Sequence, residues 1–213
     1  MSAMSSERSG VTVVESTPAA DPAALGLAGF ALTTFLLSGH NASFIPDLIW
    51  VGFALFYGGL AQFCAGMWEF RNRNVFGATA FSTYGGFWMG IGVFVVLAET
   101  TGFLSGYKAG DITNALAWFI LSFAIFNTYM LIGSMRVNMA VFGVFLTLEI
   151  TEILLAIGNF NASHTDGKHM WWVHAGGWMG IVTAAVAWYT SAAVVWNNQA
   201  GRTVLPVGKP MMS

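Results

Sequence analysis

The run Asp21-Pro22-Ala23-Ala24-Leu25-Gly26-Leu27-Ala28-Gly29-Phe30 opens the first long apolar segment of the chain. Asp21 can cap orphan amides, and Pro22 suits a first helical position, where no N–H is missed. The segment stays apolar to Ser38 and carries two glycines three residues apart, followed by an aromatic. A helix that starts so sharply and presents a smooth glycine face lies against neighbours or along a cavity. The rest of the chain reads as further helices of similar length arranged with it.

Composition sets the class. Apolar residues make up 56% of the 213 and charged residues 8%, against roughly a quarter charged in an ordinary soluble domain. The apolar residues fall in long unbroken runs, as in helices that span a bilayer. The fold class is an all-α integral membrane protein. A net charge of -2 gives no reason to expect nucleic acid. The single cysteine, Cys64, excludes an intrachain disulfide and reads as a small core residue.

Residues 1–20 lack the apolar core of a cleavable signal peptide and read as a disordered, uncleaved tail. Six spans follow, near 22–39, 47–70, 78–100, 112–133, 137–158 and 171–196, and the first can extend through His40-Asn41. Most hold the ~20 residues needed to cross a ~30 Å hydrocarbon core. Residues 21–200 thus form one transmembrane unit, and 201–213 a C-terminal tail. The connections are Arg71–Asn74, a Gly-rich turn at Gly102–Gly110, one around Arg136, and Asn159–Lys168. Arg8, Arg71, Arg73, Arg136, Arg202 and Lys209 fall on one side of this arrangement and only Lys108 and Lys168 on the other. The positive-inside rule then places both termini in the cytoplasm of a cell-membrane protein. Trp50 and Trp68, and Trp171-Trp172 and Trp196, bracket the second and sixth spans as interfacial anchors.

No Lys or Arg lies inside a span, which excludes a Schiff-base lysine or a voltage-sensor helix. The full charges deep in the spans are Glu149 and Glu152, three apart on one face of the fifth helix. Two carboxylates so placed disfavour each other's ionisation, and at least one is expected to hold a proton. They are either a proton relay beside a pore or a pair satisfied by hydrogen bonds to a neighbouring helix or subunit. Thr33, Thr34, Gln62, Ser82, Thr83, Tyr84, Ser122, Asn127, Thr128, Thr147 and Thr151 are neutral interior polar groups. Singly each is expected to tie helix to helix; together they make a modestly polar lumen, suited to a neutral solute or an anion held by hydroxyl and amide donors. His40, His164, His169 and His174 lack metal-site spacing, and His40 with His174 makes a poor haem pair. No metal, cofactor or enzymatic constellation is expected. GxxxG spacings at Gly86–Gly90 and Gly176–Gly180 allow close helix approach, within or between protomers.

The stretch Asp21–Phe30, with Phe56-Tyr57-Gly58-Gly59-Leu60-Ala61-Gln62, Ala80-Phe81-Ser82-Thr83-Tyr84-Gly85-Gly86-Phe87-Trp88, Leu155-Ala156-Ile157-Gly158-Asn159 and Gly201-Arg202-Thr203-Val204-Leu205-Pro206, resembles the succinate–acetate permeases of the acetate uptake transporter family over residues 21–207. The resemblance implies six-helix protomers in a homo-hexamer, each with its own pore for acetate and related short mono- or dicarboxylates. It implies a hydrophobic constriction of a Phe, a Tyr and a Leu, which fall here on Phe30, Tyr84 and Leu148. All three sit on odd-numbered spans about 6–11 residues from their starts, or about 9–17 Å deep. Thr33, Thr34, Gln62, Thr83 and Asn159 are candidate contacts for the solute, and Glu149 and Glu152 candidate proton carriers in a symport. The sequence departs from the family where Asp21-Pro22-Ala23-Ala24 replaces the usual Asn-Pro-Ala-Pro, and where the two glutamates replace uncharged residues. The alternatives are a channel for a neutral solute such as urea or undissociated acid and, of another class, a non-transporting membrane sensor or a haem-binding protein.

Overall fold

The computed structural model describes residues 19–46, 48–164 and 171–212. Six helices long and apolar enough to cross a membrane account for most of them: α1 (Ala23–Asn41), α2 (Ile49–Arg71), α3 (Val75–Thr101), α4 (Ala109–Ser134), α5 (Met139–His164) and α6 (Trp171–Ala200). At 1.5 Å per residue, the 26 residues of α4 extend about 39 Å, enough to span a bilayer with some tilt. The protein is an all-α, multi-pass membrane protein.

The expected start of α1 holds. The Asp21 carboxylate accepts from the Ala23 amide at 2.9 Å, and Pro22 already has helical dihedrals. The helices run past several expected boundaries. Asn74 caps α3 by accepting from the Gly77 amide at 3.1 Å, so α3 starts at Val75 and not Ala78. Gly102, at φ +64°, closes α3 in the left-handed conformation glycine favours. The Asp111 carboxylate reaches back to the Lys108 amide, starting α4 inside the stretch read as a turn to Gly110. The segment from Asn159 was expected to be loop, but α5 continues through His164, because Asn159 and Ser163 turn their polar groups onto helix carbonyls at Leu155 and Phe160. The rest of that connection, with Lys168 and His169, lies outside the described residues, as does Asp47.

Neighbouring helices pack in a ring in the order α3, α2, α1, α6, α5, α4. Glycines set the closest approaches. A Cβ on Gly29 would lie 2.6 Å from the Tyr57 carbonyl oxygen, and one on Gly177 2.6 Å from the Ala42 nitrogen. Ser191 on α6 donates to the Ala24 carbonyl at 2.7 Å, and the Thr151 and Thr183 hydroxyls meet at 3.1 Å between α5 and α6. The two GxxxG spacings part company. Gly176 and Gly180 pack on Leu155 and Ser38 inside the protomer, whereas Gly86 and Gly90 face outward with nothing within 4 Å. Between α3 and α4 the main chains barely meet, and rings fill the seam: Phe87 stacks on Phe119 at 5.2 Å and meets Phe123 edge-on at 4.7 Å.

In α2 the residues Phe56–Ala61 widen into a π-helical turn. Its glycines, Gly58 and Gly59, lie against Thr33 and against Ala54 and Met89, where side chains would not fit. Two expectations, one of anchoring and one of burial, are corrected. Trp50 is buried in a cluster with Val51, Ala54 and Trp88 and is not an interfacial anchor. Cys64 is exposed on the outer face, not in the core, since the Gly58-Gly59 and Gly66 side of α2 takes the inward packing. Trp68, Trp171 and Trp196 are exposed, as anchors should be.

After α6 the chain doubles back. Asn197 accepts from the Val204 and Leu205 amides and donates to the Leu205 carbonyl, while Tyr189 donates to the Pro206 carbonyl at 2.7 Å. The Ala140 amide donates to Val207, and the Met211 and Met212 amides to Met135. This strap brings Arg202 and Lys209 to the end of the bundle that holds Arg136.

Candidate functional site: a central cavity closed by an aromatic–aliphatic ring

Inside the ring of helices lies a cavity of about 290 Å³. Its walls include His40 and Asn41 at the end of α1, Phe94 and Val95 on α3, Thr113 near the start of α4, Asn159 and Ala162 on α5, and Val173 near the start of α6. All of these belong to the same end of the bundle, opposite the Arg71–Asn74 and Arg136 turns. From that end the cavity reaches Phe30, Tyr84 and Leu148 at mid-depth, the three residues expected to form a constriction.

These three come from α1, α3 and α5, are all buried, and share one apolar cluster with Leu27, Phe81, Met130, Val144 and Phe145. The Phe30 and Tyr84 rings meet edge to face with centroids 5.7 Å apart. Tyr84 also touches Phe87, Phe123 and Phe126. A ring so held keeps its place, because edge-to-face contacts of this kind each favour one geometry by about 0.5–1.5 kcal/mol.

Of the five candidate solute contacts, Thr34 and Asn159 line the cavity. The Thr34 hydroxyl is buried with no hydrogen-bond partner among the described residues, as are the indole nitrogens of Trp50 and Trp88, which also line it. Asn159 spends one amide hydrogen on the Leu155 carbonyl at 2.9 Å. Thr33, Gln62 and Thr83 lie off the cavity. Thr33 is fully buried with its hydroxyl toward the Phe53 carbonyl at 3.5 Å, Gln62 is buried beside the α1–α2 contact at Gly29, and Thr83 is half-buried on α3.

Glu149 and Glu152 occupy different surroundings although one turn apart. Glu152 lines the cavity and is buried. Its Oε1 lies 3.3 Å from the Tyr84 hydroxyl, and its Oε2 has no partner among the described residues. Glu149 is half-buried on the α4 side, where Asn127 Nδ2 donates to Oε2 at 2.6 Å and the Thr128 hydroxyl to Oε1 at 2.8 Å. Asn127 also donates to the Phe145 carbonyl at 2.9 Å and accepts from the Tyr84 hydroxyl at 3.0 Å. This fully buried amide therefore joins Glu149 to Tyr84, which Glu152 meets directly. Sequence reading took it as an ordinary helix-to-helix tie, and only the topology reveals that it is a junction. Glu69 was also missed. It is buried near the opposite end, accepts from Asn74 Nδ2 at 3.0 Å and leaves Oε1 unpartnered among the described residues. His174 meets the Ser43 hydroxyl at 2.9 Å at the end of the bundle where the cavity opens, and His40 stands in the cavity wall.

The chamber is large enough for a small solute and ends against the apolar cluster of Phe30, Tyr84 and Leu148. Among its lining residues there is no Lys or Arg to hold an anion strongly, so a solute would be met by hydroxyl, amide and indole groups, aromatic faces and the Glu152 carboxyl.

Comparison with known proteins agrees with this architecture. The chain is 36% identical over 194 residues to the succinate-acetate/proton symporter SatP of Escherichia coli, covering 91% of this chain and 97% of that protein. It is 39% identical over 186 residues to ammonia transport outward protein 2 of Saccharomyces cerevisiae, covering 84% of this chain but 63% of the yeast protein, so the chain spans about three fifths of that relative's length. Among solved structures, that of the bacterial acetate channel SatP superposes with a TM-score of 0.80 at 34% identity, covering 89% of this chain and 99% of the other. The relatives are transporters or channels, not enzymes. Residues 4–211 match the GPR1/FUN34/yaaH family, and the chain belongs to that family.

Proposed function

We propose that the protein carries acetate and related small carboxylates, succinate among them, across a cell membrane through a pore within each protomer. The observation that carries this reading is the meeting of Phe30, Tyr84 and Leu148 from three helices at the inner end of the one-ended cavity. The names of the relatives, a succinate-acetate/proton symporter and an acetate channel, support the choice of solute.

The solute enters the chamber, sheds part of its water, and is met by Thr34, Asn159 and the two indole nitrogens. Thr33, Gln62 and Thr83 are left to packing. At the ring a methyl group gains about 0.8 kcal/mol from apolar contact, while a hydrated ion finds no replacement for its shell, so the ring selects and gates by dewetting. By the positive-inside rule the chamber faces outward and both termini lie in the cytoplasm. Residues 21–200 form the pore unit, with 1–20 and 201–213 as cytoplasmic segments. Six protomers assemble side by side, and the outward face at Gly86 and Gly90 is where a neighbour's helix can come close. Movement is tied to a proton held within the Glu149–Glu152 pair, of which Glu152 lines the cavity.

Uptake of labelled acetate into proteoliposomes tests the reading. Wild type should load the vesicles, unlabelled acetate and succinate should compete, and Phe30→Ala should change the rate and weaken the discrimination against larger solutes. A folded wild type that moves no acetate would end it. The apolar lining favours one variant, passage of the undissociated acid; flux that follows the undissociated concentration at fixed anion concentration would identify that form.

A further inference from the structure

Asn127 cannot be turned round. Its Nδ2 faces the Phe145 carbonyl at 2.9 Å, a group that only accepts, so Oδ1 is the atom presented to Tyr84. The second Nδ2 hydrogen goes to Glu149 at 2.6 Å, and the amide has no donor left. Tyr84 then stands between two oxygens, Asn127 Oδ1 at 3.0 Å and Glu152 Oε1 at 3.3 Å, with one hydroxyl proton to give. Asn127 Oδ1 can only accept. If Tyr84 serves Asn127, the Tyr84–Glu152 contact holds a hydrogen only when Glu152 supplies it. If Glu152 is a carboxylate, Tyr84 must turn to it, and Asn127 Oδ1 is left facing the phenol oxygen with no hydrogen between them. A buried acceptor deprived of its donor is disfavoured by an amount comparable to a hydrogen bond.

We infer that Glu152, not Glu149, carries the proton of the pore, and that Asn127 is the positioning residue that makes the Tyr84 hydroxyl answer to it. This rests on the pore reading above and deepens it. In the loaded state Glu152 Oε1–H donates to the Tyr84 oxygen and Tyr84 donates to Asn127. On unloading, that proton leaves for the water or carboxylate in the cavity, and the Tyr84 hydroxyl swings to Glu152. Since the Tyr84 ring is part of the constriction, occupancy of one carboxyl by a proton is read at the narrowest point. The titratable side chains around Glu152 are Tyr84 on α3, Glu149 on its own helix, and His40 of α1 on the same cavity wall. The cavity-lining residues of α2, α4 and α6 (Trp50; Thr113, Leu116, Phe119 and Ile120; Val173) add none.

The test compares wild type with Glu152→Gln, Tyr84→Phe and Asn127→Leu in proteoliposomes. Labelled acetate is followed across a pH series at fixed anion concentration, and the infrared carbonyl band of a protonated carboxyl is followed on the same samples. Wild-type transport should show a pH step that coincides with loss of the band. Glu152→Gln, whose amide supplies the same hydrogen permanently, should lose both the step and the band. Tyr84→Phe should keep the band and lose the step. Asn127→Leu, which frees Tyr84 to serve the carboxylate, should move both to lower pH by about one unit, a tenfold change in proton affinity. A wild-type step and band surviving in Glu152→Gln would overturn the assignment, as would an Asn127→Leu midpoint equal to wild type. Should Asn127→Leu fail to fold, Glu152→Gln and Tyr84→Phe decide alone. If wild type moves no carboxylate, the pore reading fails by itself, and the infrared titration of Glu152 against Glu152→Gln still decides the assignment of the proton.

Discussion

Gly29 is where a single methyl group tests the packing that positions Phe30 against Tyr84. An added Cβ would lie 2.6 Å from the Tyr57 carbonyl oxygen, about 0.8 Å short of the 3.4 Å at which ordinary contact begins. The obstacle is backbone within the π-helical turn, which no rotamer change can move aside. Gly29→Ala must therefore push α1 from α2 or unwind the wide turn. Overpacking of this kind costs about 1–3 kcal/mol; against fixed backbone the upper end applies, and the better helix propensity of alanine offsets about 1 kcal/mol. The expected net loss is about 2 kcal/mol. Because Phe30 is the next residue, the same shift disturbs its contact with Tyr84, and acetate flux should change with it. The control is Gly86→Ala, which meets open space within the protomer and should leave protomer stability unchanged or slightly raised. Reversible unfolding of both variants in mixed micelles, monitored by helical circular dichroism, measures the difference. A Gly29→Ala protein as stable as wild type would refute the reasoning, as would a Gly86→Ala protomer equally destabilised.

Three further outcomes follow from the hydrogen bonds. Tyr84→Phe leaves Asn127 Oδ1 and Glu152 Oε1 without the shared hydroxyl, and unfolding should show a loss of about 1–3 kcal/mol. Ser191→Ala removes the 2.7 Å bond from α6 to the Ala24 carbonyl and should cost about 1 kcal/mol in the same assay. Asn197→Ala deletes three bonds to Val204 and Leu205; amide exchange at Val204 and Leu205 should accelerate while exchange in α1 and α5 stays as in wild type.

The parts of this molecule that depend on chain-wide periodicity were legible in advance. Six apolar runs became six helices; Phe30, Tyr84 and Leu148 came from the family resemblance and not from periodicity, and the three lie in one buried apolar cluster. Local chemistry misled where a polar residue can be satisfied in more than one way. Asn159 looked like the end of α5, yet its side chain folds onto the Leu155 carbonyl and the helix continues. Trp50 looked like an interfacial anchor, because nothing in a single helix says which side its neighbours take. The π-helical turn has a trace in Gly58-Gly59, but that pair is equally compatible with plain helix contact. Thr34 could not be separated from Thr33 by type. They differ by about 100° around α1, and only the positions of α2 and α6 decide which one borders the cavity.

The seam between α3 and α4 gives the protomer one soft edge. Everywhere else in the ring, main chains lean on each other through glycine, serine and threonine, and parting them means breaking backbone contact. Along this edge the closure is a row of phenyl groups, Phe87 against Phe119 and Phe123, with the Tyr84–Asn127 hydrogen bond at mid-depth. Phenyl groups swing about their side-chain torsions without disturbing a helix. The α4–α5 hairpin is thus a leaf hinged along α6 with its free margin latched by aromatics. Heat, detergent or an intruding acyl chain will lift that margin before it loosens any other wall.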